Sequence, residues 1–210
     1  MTLAQSLATG LAALGLSLDA GQQQKLLDYV ALIAKWNKVY NLTAVREPEA
    51  MVTQHLLDSL VVLPHIAGIS RLIDVGSGAG LPGIPFAIAR PEWKAALLDS
   101  NHKKTTFLRQ ARLELGLTNA EVVCERVEHY QPAEKFDAII SRAFSDLGEF
   151  ARLTAHLATK GGKLYAMKGV YPHDELGKLP PHIKVQEVIP LTVPGMDANR
   201  HLVIMRVEEA

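Results

Sequence analysis

Four glycines fall within eight positions at Gly76, Gly78, Gly80 and Gly83, with Pro82 and Pro85 interleaved and an acidic residue, Asp74, just ahead of the first. No regular helix or strand accommodates such a run. It reads as a buried strand over Arg71–Val75, a tight glycine turn, and a helix opening near Pro82, where a missing N–H and a preset φ cost nothing. A turn without Cβ atoms offers backbone N–H groups to a molecule bound at the helix N-terminus. Asp99 follows about 20 residues on, at the end of the next apolar run. A carboxylate there can accept hydrogen bonds from two vicinal hydroxyls, which makes a nucleoside cofactor the chemistry this stretch suits.

Two cofactor templates overlay on the same residues. Gly78-Ala79-Gly80-Leu81-Pro82-Gly83 matches the dinucleotide fingerprint GxGxxG, which would make the chain an NAD-dependent oxidoreductase. That fingerprint opens directly from its strand, whereas Asp74-Val75-Gly76-Ser77 intervenes here and Pro82 takes a helix-opening position. Two residues earlier the run reads Asp74-x-Gly76-x-Gly78-x-Gly80, an acid on the strand followed by alternating glycines. This resembles motif I of the class I S-adenosylmethionine-dependent methyltransferases. The resemblance implies a cofactor whose methionine part lies over the glycine turn and whose ribose is bound by Asp99. A turn that merely joins strand to helix, with Asp99 a surface cap, is the bland alternative, and four glycines with two correctly spaced carboxylates weigh against it.

The elements that must position these residues follow from periodicity. Leu3, Leu7, Leu11 and Leu14 repeat at helical spacing, Gly15 can end that helix, and Ser17 and Asp19 are candidate N-caps for a second over residues 20–40. A third runs from Glu49 to Leu63 and stops at Pro64. Residues 1–65 are therefore expected to form a helical extension packed on residues 66–210. From residue 71 short apolar runs alternate with helical stretches. Strands are predicted at Arg71–Val75, Lys94–Asp99, Ala120–Arg126, Phe136–Ser141, Lys163–Lys168, Val185–Thr192 and His201–Val207, with helices at 82–90, 102–115, 145–159 and 172–179. Such alternation implies an α/β, Rossmann-like, seven-stranded and mostly parallel sheet with right-handed crossovers. The last two strands have no helix between them and should pair antiparallel at the sheet edge.

Composition bounds the partners. Lys plus Arg and Asp plus Glu number 22 each, so no broad basic field exists and any nucleic-acid site must be a local patch. The single cysteine, Cys124, excludes an internal disulfide and a CxxC metal site, which suits a reducing cytoplasmic setting. The opening MTLAQSLATGLAALGLSL has no Lys or Arg ahead of its apolar residues and is interrupted by Gln5, Ser6 and Thr9, so it reads as a helix and not a signal segment. No apolar run approaches the ~20 residues of a membrane span.

Beyond motif I, DVGSGAGLPGIP, DSNHKKTTFL (99–108), SRAF (141–144) and MKG (167–169) closely resemble the bacterial small-subunit ribosomal RNA guanine-N7 methyltransferases, also called glucose-inhibited division protein B. WNKVYNLTA (36–44), HLLDSL (55–60) and RHLVIM (200–205) extend the resemblance over nearly the whole chain. Where the family commonly has Gly-Glu before the late Arg-His, this chain has Ala198-Asn199. The resemblance implies that Gly76, Gly78 and Leu81 line the cofactor, Leu81 and Gly76 through backbone atoms, that Val127 and Glu128 hold its adenine edge, and that Arg142 reaches its carboxylate or the substrate. It implies 16S ribosomal RNA or the small subunit as partner, no metal, and a monomer. Lys103 and Lys104 open a helix, where cations sit against the dipole, so a basic pair there needs a partner. RNA phosphate is the functional reading, shared with Lys168, Arg200 and Arg109; a solvated helix face is the alternative. Asn41, His55 and Asp58 would lie over the cleft, with His55 equally able to be structural. Trp36 and Tyr40 share a helix face and suit core packing.

Guanine N7 carries a lone pair and no proton, so methylation there needs no general base. The protein's task is to align N7 with the methyl group, exclude water and tolerate the charge developing on the base. This accords with the absence of a Ser/His/Asp or Cys/His set; Arg142 and Lys168 would position the substrate. An accessible guanine needs a stacking partner, for which Phe144 and Tyr165 are candidates. Methylation of another substrate with the same cofactor, and an RNA-binding module without catalysis, remain open at this point.

Overall fold

The computed structural model describes residues 1–142, 144 and 146–208. Ala143 of the SRAF run and Ser145, expected to open a helix, lie outside the described residues. Strand β1 (Arg71–Val75) pairs in parallel with β2 (Lys94–Leu98) on one side and β4 (Phe136–Ser141) on the other. Outside β2 lies β3 (Ala120–Val123) and outside β4 lies β5 (Ala158–Lys168), again parallel. The chain then reverses, with β7 (Arg200–Val207) antiparallel to β5 and to β6 (Ile183–Leu191), in the order β3-β2-β1-β4-β5-β7-β6. The antiparallel pair predicted at one edge is present, with β6 outermost. Four of the five residues of β1 are buried, as expected of a parallel strand covered on both faces.

The order reverses between β1 and β4. Their carboxyl ends therefore diverge into the crevice where open α/β sheets bind ligands. One face is covered by α5 (Gly83–Ala89) and α6 (His102–Glu114), and the other by α7 (Leu147–Thr154). The short α8 (His173–Leu176) sits beyond β5.

The N-terminal part comprises α1 (Leu3–Ala13), α2 (Ala20–Tyr40), α3 (Pro48–Met51) and α4 (Asp58–Leu60). Thr2 and Asp19 cap the first two with reciprocal boxes to Gln5 and Gln22, each worth about 1 kcal/mol. Leu7, Leu26, Tyr29, Ile33 and Leu56 share one core cluster with Ile84, Phe86 and Phe107 of the sheet's covering helices. The helical extension thus buries its apolar face on the same side of the sheet as α5 and α6.

Several boundaries differ from expectation. The predicted helix from Glu49 to Leu63 is not uniform: between α3 and α4 the backbone widens to a π-turn over Val52–Leu57. There Leu57 packs on Gly10 of α1, where a Cβ would lie 2.3 Å from its Cδ1. Such a turn carries an extra residue and re-aims the side chains after it. Strand β3 stops at Val123, and β5 starts at Ala158, five residues before the predicted Lys163, across a register shift between Phe136 and Ala138 of β4. The predicted helix at 172–179 is the single turn of α8.

Candidate active site

The glycine turn is held from three directions. Leu98 at the end of β2 accepts from the N–H groups of Gly76 (2.9 Å) and Ser77 (3.0 Å). Asp99 Oδ2 accepts from Gly78 N–H at 2.9 Å. From below, Asp74 Oδ2 accepts from the Ser77 hydroxyl (2.7 Å) and from Gly83 N–H (2.9 Å). Gly80 and Leu81 donate to Ser77 O at 2.8 and 3.0 Å. The expectation of N–H groups presented to a ligand is thereby corrected: those of Gly76, Ser77, Gly78, Gly80, Leu81 and Gly83 are all turned onto protein acceptors. A pyrophosphate needs such donors, so the geometry disfavours a dinucleotide.

The glycines divide by role. Gly76 and Gly78 have φ of +71° and +61°, and a Cβ on Gly78 would meet only Gly76 O at 3.8 Å, so space is open above it. A Cβ on Gly80 would strike Ile84 at 2.5 Å, and one on Gly83 would strike Leu97 at 2.3 Å. These two seat the turn on α5 and β2.

Asp74 is fully buried and its Oδ1 finds no partner among the described residues. Burial pushes its carboxyl up to about 6, against the ordinary 3.8, although Ser77, Gly83 and the Arg142 charge favour the ionised form. Above the turn, Val75, Gly76, Leu98, Ser100, Val127, Glu128 and Phe144 border a cavity of about 500 Å³. Asp99 stands in sequence between Leu98 and Ser100 of its lining, with Oδ1 accepting from Asn101 N–H at 2.8 Å. Val127 is buried, while Glu128 is exposed and paired with Arg126 at 3.2 Å. Leu81 is buried and borders neither this cavity nor the next.

A second cavity, of about 380 Å³, opens where the π-turn and α4 meet the ends of β4, β5 and β7. Asp58, 3% exposed, is its hub. Arg200 Nε donates to Asp58 Oδ1 at 2.7 Å and Arg142 Nη1 to Oδ2 at 3.3 Å. Arg142 also donates to Gln54 O at 3.4 Å. Lys168 lines the same cavity, its Nζ 2.8 Å from Glu175 Oε1. His55 is buried beside it, Nδ1 donating to Gln54 O and Nε2 accepting from the Thr43 hydroxyl at 2.9 Å. Burial and the nearby Arg142 charge hold the imidazole below its usual pKa, so it is neutral and occupied, unsuited to serve as a base.

The remaining candidates scatter. Lys104 Nζ lies 3.9 Å from Asp99 Oδ2, so this lysine leans toward the glycine turn, while Lys103 and Arg109 are exposed on α6. Asn101 caps α6 by accepting from both lysine N–H groups. Asn41 accepts from Arg46 at the end of α2, away from both cavities. Trp36 stacks on Tyr40 with ring centroids 5.2 Å apart and abuts Phe107, which is packing. Tyr165 is 1% exposed in the core and is corrected as a stacking candidate; Phe144 packs on Phe150 at the wall of the larger cavity. Cys124 is half-buried in the loop after β3. Among the described residues no group of three His, Cys, Asp or Glu side chains could hold a metal, and no helix is long and apolar enough to cross a membrane.

Sequence reasoning missed the supports. Tyr29 of α2 is fully buried and donates its hydroxyl to the Ala79 carbonyl inside the glycine turn. Gln22 donates to the Ile88 and Ala89 carbonyls at the end of α5. The apolar period of α2 flagged a buried face but not a polar tip reaching 50 residues ahead.

A family model described as "GidB: rRNA small subunit methyltransferase G" matches residues 22–203. Proteins named ribosomal RNA small subunit methyltransferase G are similar along nearly the whole chain. That of Laribacter hongkongensis is 62% identical, covering 97% of this chain and 98% of the relative, and that of Nitrosospira multiformis is 57% identical, covering 98% of each. Among solved structures, the O-methyltransferase TomG of Streptomyces achromogenes, in complex with SAM, matches with a TM-score of 0.61 at 15% identity over 100% of both chains. TrmN of Thermus thermophilus matches with a TM-score of 0.56 at 19% identity over 81% of this chain and 53% of that one, and both share the fold. With the Asp74 glycine turn, the reversed sheet order and a match over 22–203, the chain belongs to the rRNA small subunit methyltransferase G family, a family of methyltransferases.

Proposed function

We propose that the protein transfers the methyl group of S-adenosylmethionine to N7 of a guanine in 16S ribosomal RNA, as a cytoplasmic monomer acting on the RNA or the small subunit. The observation that carries this reading is a pair of cavities at the carboxyl edge of one sheet. One is suited to a phosphate-free nucleoside, and its neighbour is ringed by Arg142, Lys168 and Arg200. The N–H groups of Gly76, Ser77, Gly78, Gly80, Leu81 and Gly83 are spent internally, Gly78 has room above it, Asp99 stands beside Gly78 for a ribose, and the orphaned Asp74 Oδ1 leaves negative charge beneath the turn. These features fit a cationic cofactor without phosphate.

When bound, S-adenosylmethionine supplies an electrophilic methyl on a sulfonium. Gly76, Gly78, Val127 and Glu128 shape and polarise the pocket around the nucleoside, with Leu81 bracing the turn from behind. Arg142, anchored by Asp58, orients the base or the cofactor carboxylate, and Lys103, Lys104, Lys168 and Arg200 contact RNA phosphates. His55 is occupied and neutral, and both oxygens of Asp58 are held by arginines, so neither offers itself as a base. Attack by N7 requires none, and the site's contribution is alignment and electrostatics.

Single-turnover transfer of labelled methyl to small-subunit RNA and to assembled small subunits, followed by mapping of the modified base, tests the reading. N7-methylguanine in either substrate is expected. Label on any other atom, or none in either substrate, overturns it.

A further inference from the structure

Immediately outside the Arg142, Lys168 and Arg200 cavity lies an exposed aromatic group that the reaction has not used. Lys168 ends β5, and the chain continues through Gly169, also on the cavity wall, to Val170 and Tyr171, which are 70% and 41% exposed. The Tyr171 ring lies 4.3 Å from the His173 ring, tilted by 40°, and 5.6 Å from that of His201, nearly perpendicular. His201 follows Arg200 and pairs with Lys168 across β5 and β7. It is tied into the loop by its Nδ1 donating to the Gly169 carbonyl at 3.2 Å.

The loop is braced at its far end as well. Lys168 and Glu175 form a largely buried ion pair across it, and Glu175 Oε2 accepts from Leu147 N–H at 2.7 Å. Tyr171 is partly exposed on a loop pinned at both ends, so a flat partner stacking on it costs little further ordering of the loop. The neighbouring cations narrow the occupant. Lys168, three positions before Tyr171, and Arg200, next to His201, line the adjoining cavity, and a basic wall beside an aromatic ring is the setting in which single-stranded nucleic acid is gripped.

We propose that Tyr171, set between His173 and His201, is a stacking platform for an unpaired base of the RNA next to the methylated nucleotide. The proposal rests on the ribosomal RNA reading above and adds the group that holds the strand beside the target. Tyr171 is a positioning residue: it touches neither the cofactor nor the reacting atoms. A neighbouring base bound equally in ground and transition states changes KM and leaves kcat alone.

Methyl-transfer kinetics on small-subunit RNA with the full chain, together with S-adenosylhomocysteine calorimetry, test this. Tyr171→Ala is expected to raise KM for RNA about tenfold, within the range for one base on one ring, with kcat and cofactor affinity unchanged. Tyr171→Phe and Tyr171→Trp should restore the parent KM, since a ring is what matters. A parent KM in Tyr171→Ala, or a loss that Phe does not rescue, overturns the platform. Lowered kcat or cofactor affinity in Tyr171→Ala does so too, by making the residue structural. Absence of transfer by the unaltered protein would instead sink the ribosomal RNA reading, so the two failures are distinguishable.

Discussion

Asp74 illustrates how a single carboxylate can be both a strut and a liability. Its Oδ2 organises Ser77 and Gly83 while its Oδ1 is buried without a partner, and desolvation outweighs the favourable contacts in raising its pKa to about 6. The protonated form is thus favoured on folding, so this group makes the protein less stable as pH rises from the ordinary 3.8 to about 6. The difference is roughly 3 kcal/mol. Chemical denaturation at pH 4 and 7 should show the parent losing about that much relative to Asp74→Asn. A cationic cofactor favours the ionised carboxylate, so S-adenosylmethionine affinity is expected to rise with pH up to about 6 and then level, and to lose this dependence in Asp74→Asn. At Asp99 both oxygens already accept backbone N–H groups and each retains a lone pair for a ribose hydroxyl. Asp99→Ala should weaken cofactor binding about tenfold or more by calorimetry, through the lost ribose contact and a loosened Gly78.

Helix α2 supports the site without touching the cavity above the turn. Its buried Tyr29 bonds to Ala79 O and its Gln22 closes the end of α5, so the glycine turn and the helix after it are gripped by the N-terminal extension. Removing the hydroxyl in Tyr29→Phe leaves a buried carbonyl unpaired and should lower stability by about 1–2 kcal/mol in urea denaturation. S-adenosylhomocysteine affinity should fall further than in Leu11→Ala, which opens a void in the same core cluster without reaching the turn. The π-turn acts similarly on the second cavity. By widening the backbone just before Asp58 it delivers that carboxylate to the two arginines and leaves His55 facing Thr43.

At the scale of the whole molecule, Asp58 joins segments 84 and 142 residues apart, linking the helical extension to the ends of β4 and β7 in one half of the sheet. Asp58→Asn leaves Arg142 and Arg200 without their shared anchor. Misplaced positioning groups cost up to about 100-fold in rate, so kcat should fall 10- to 100-fold, and an accompanying loss of S-adenosylhomocysteine affinity would put Arg142 on the cofactor carboxylate and not on the base. RNA attraction comes from local patches, because the chain carries no net charge. The double variant Lys103→Ala/Lys104→Ala should weaken RNA binding and reduce the slope of log affinity against log salt by about 1.4. The 3.9 Å approach of Lys104 to Asp99 makes a small loss of cofactor affinity the expected side effect, whereas Lys103→Ala alone should spare the cofactor.

Sequence alone determined the features whose causes are local. Glycine spacing and Pro82 specify a strand, turn and helix through backbone sterics, alternation of apolar periods specifies a mostly parallel sheet, and Asp19 ahead of an apolar period marks the start of α2. Asp99 was legible too, because its distance from the glycines is set by one β-α-β unit. Tertiary structure decided whatever depends on partners from distant segments. Six of the turn's N–H groups, from Gly76 to Gly83, face inward because their acceptors come from β1, the end of β2 and the turn itself, which spacing does not reveal. Arg142 and Arg200 read as free cations in a sequence and become half-buried partners of one carboxylate only when three chain segments meet. Lys168 is likewise paired with Glu175, and Tyr171 acquires its setting between two imidazoles because β5 and β7, far apart in sequence, are neighbours in the sheet.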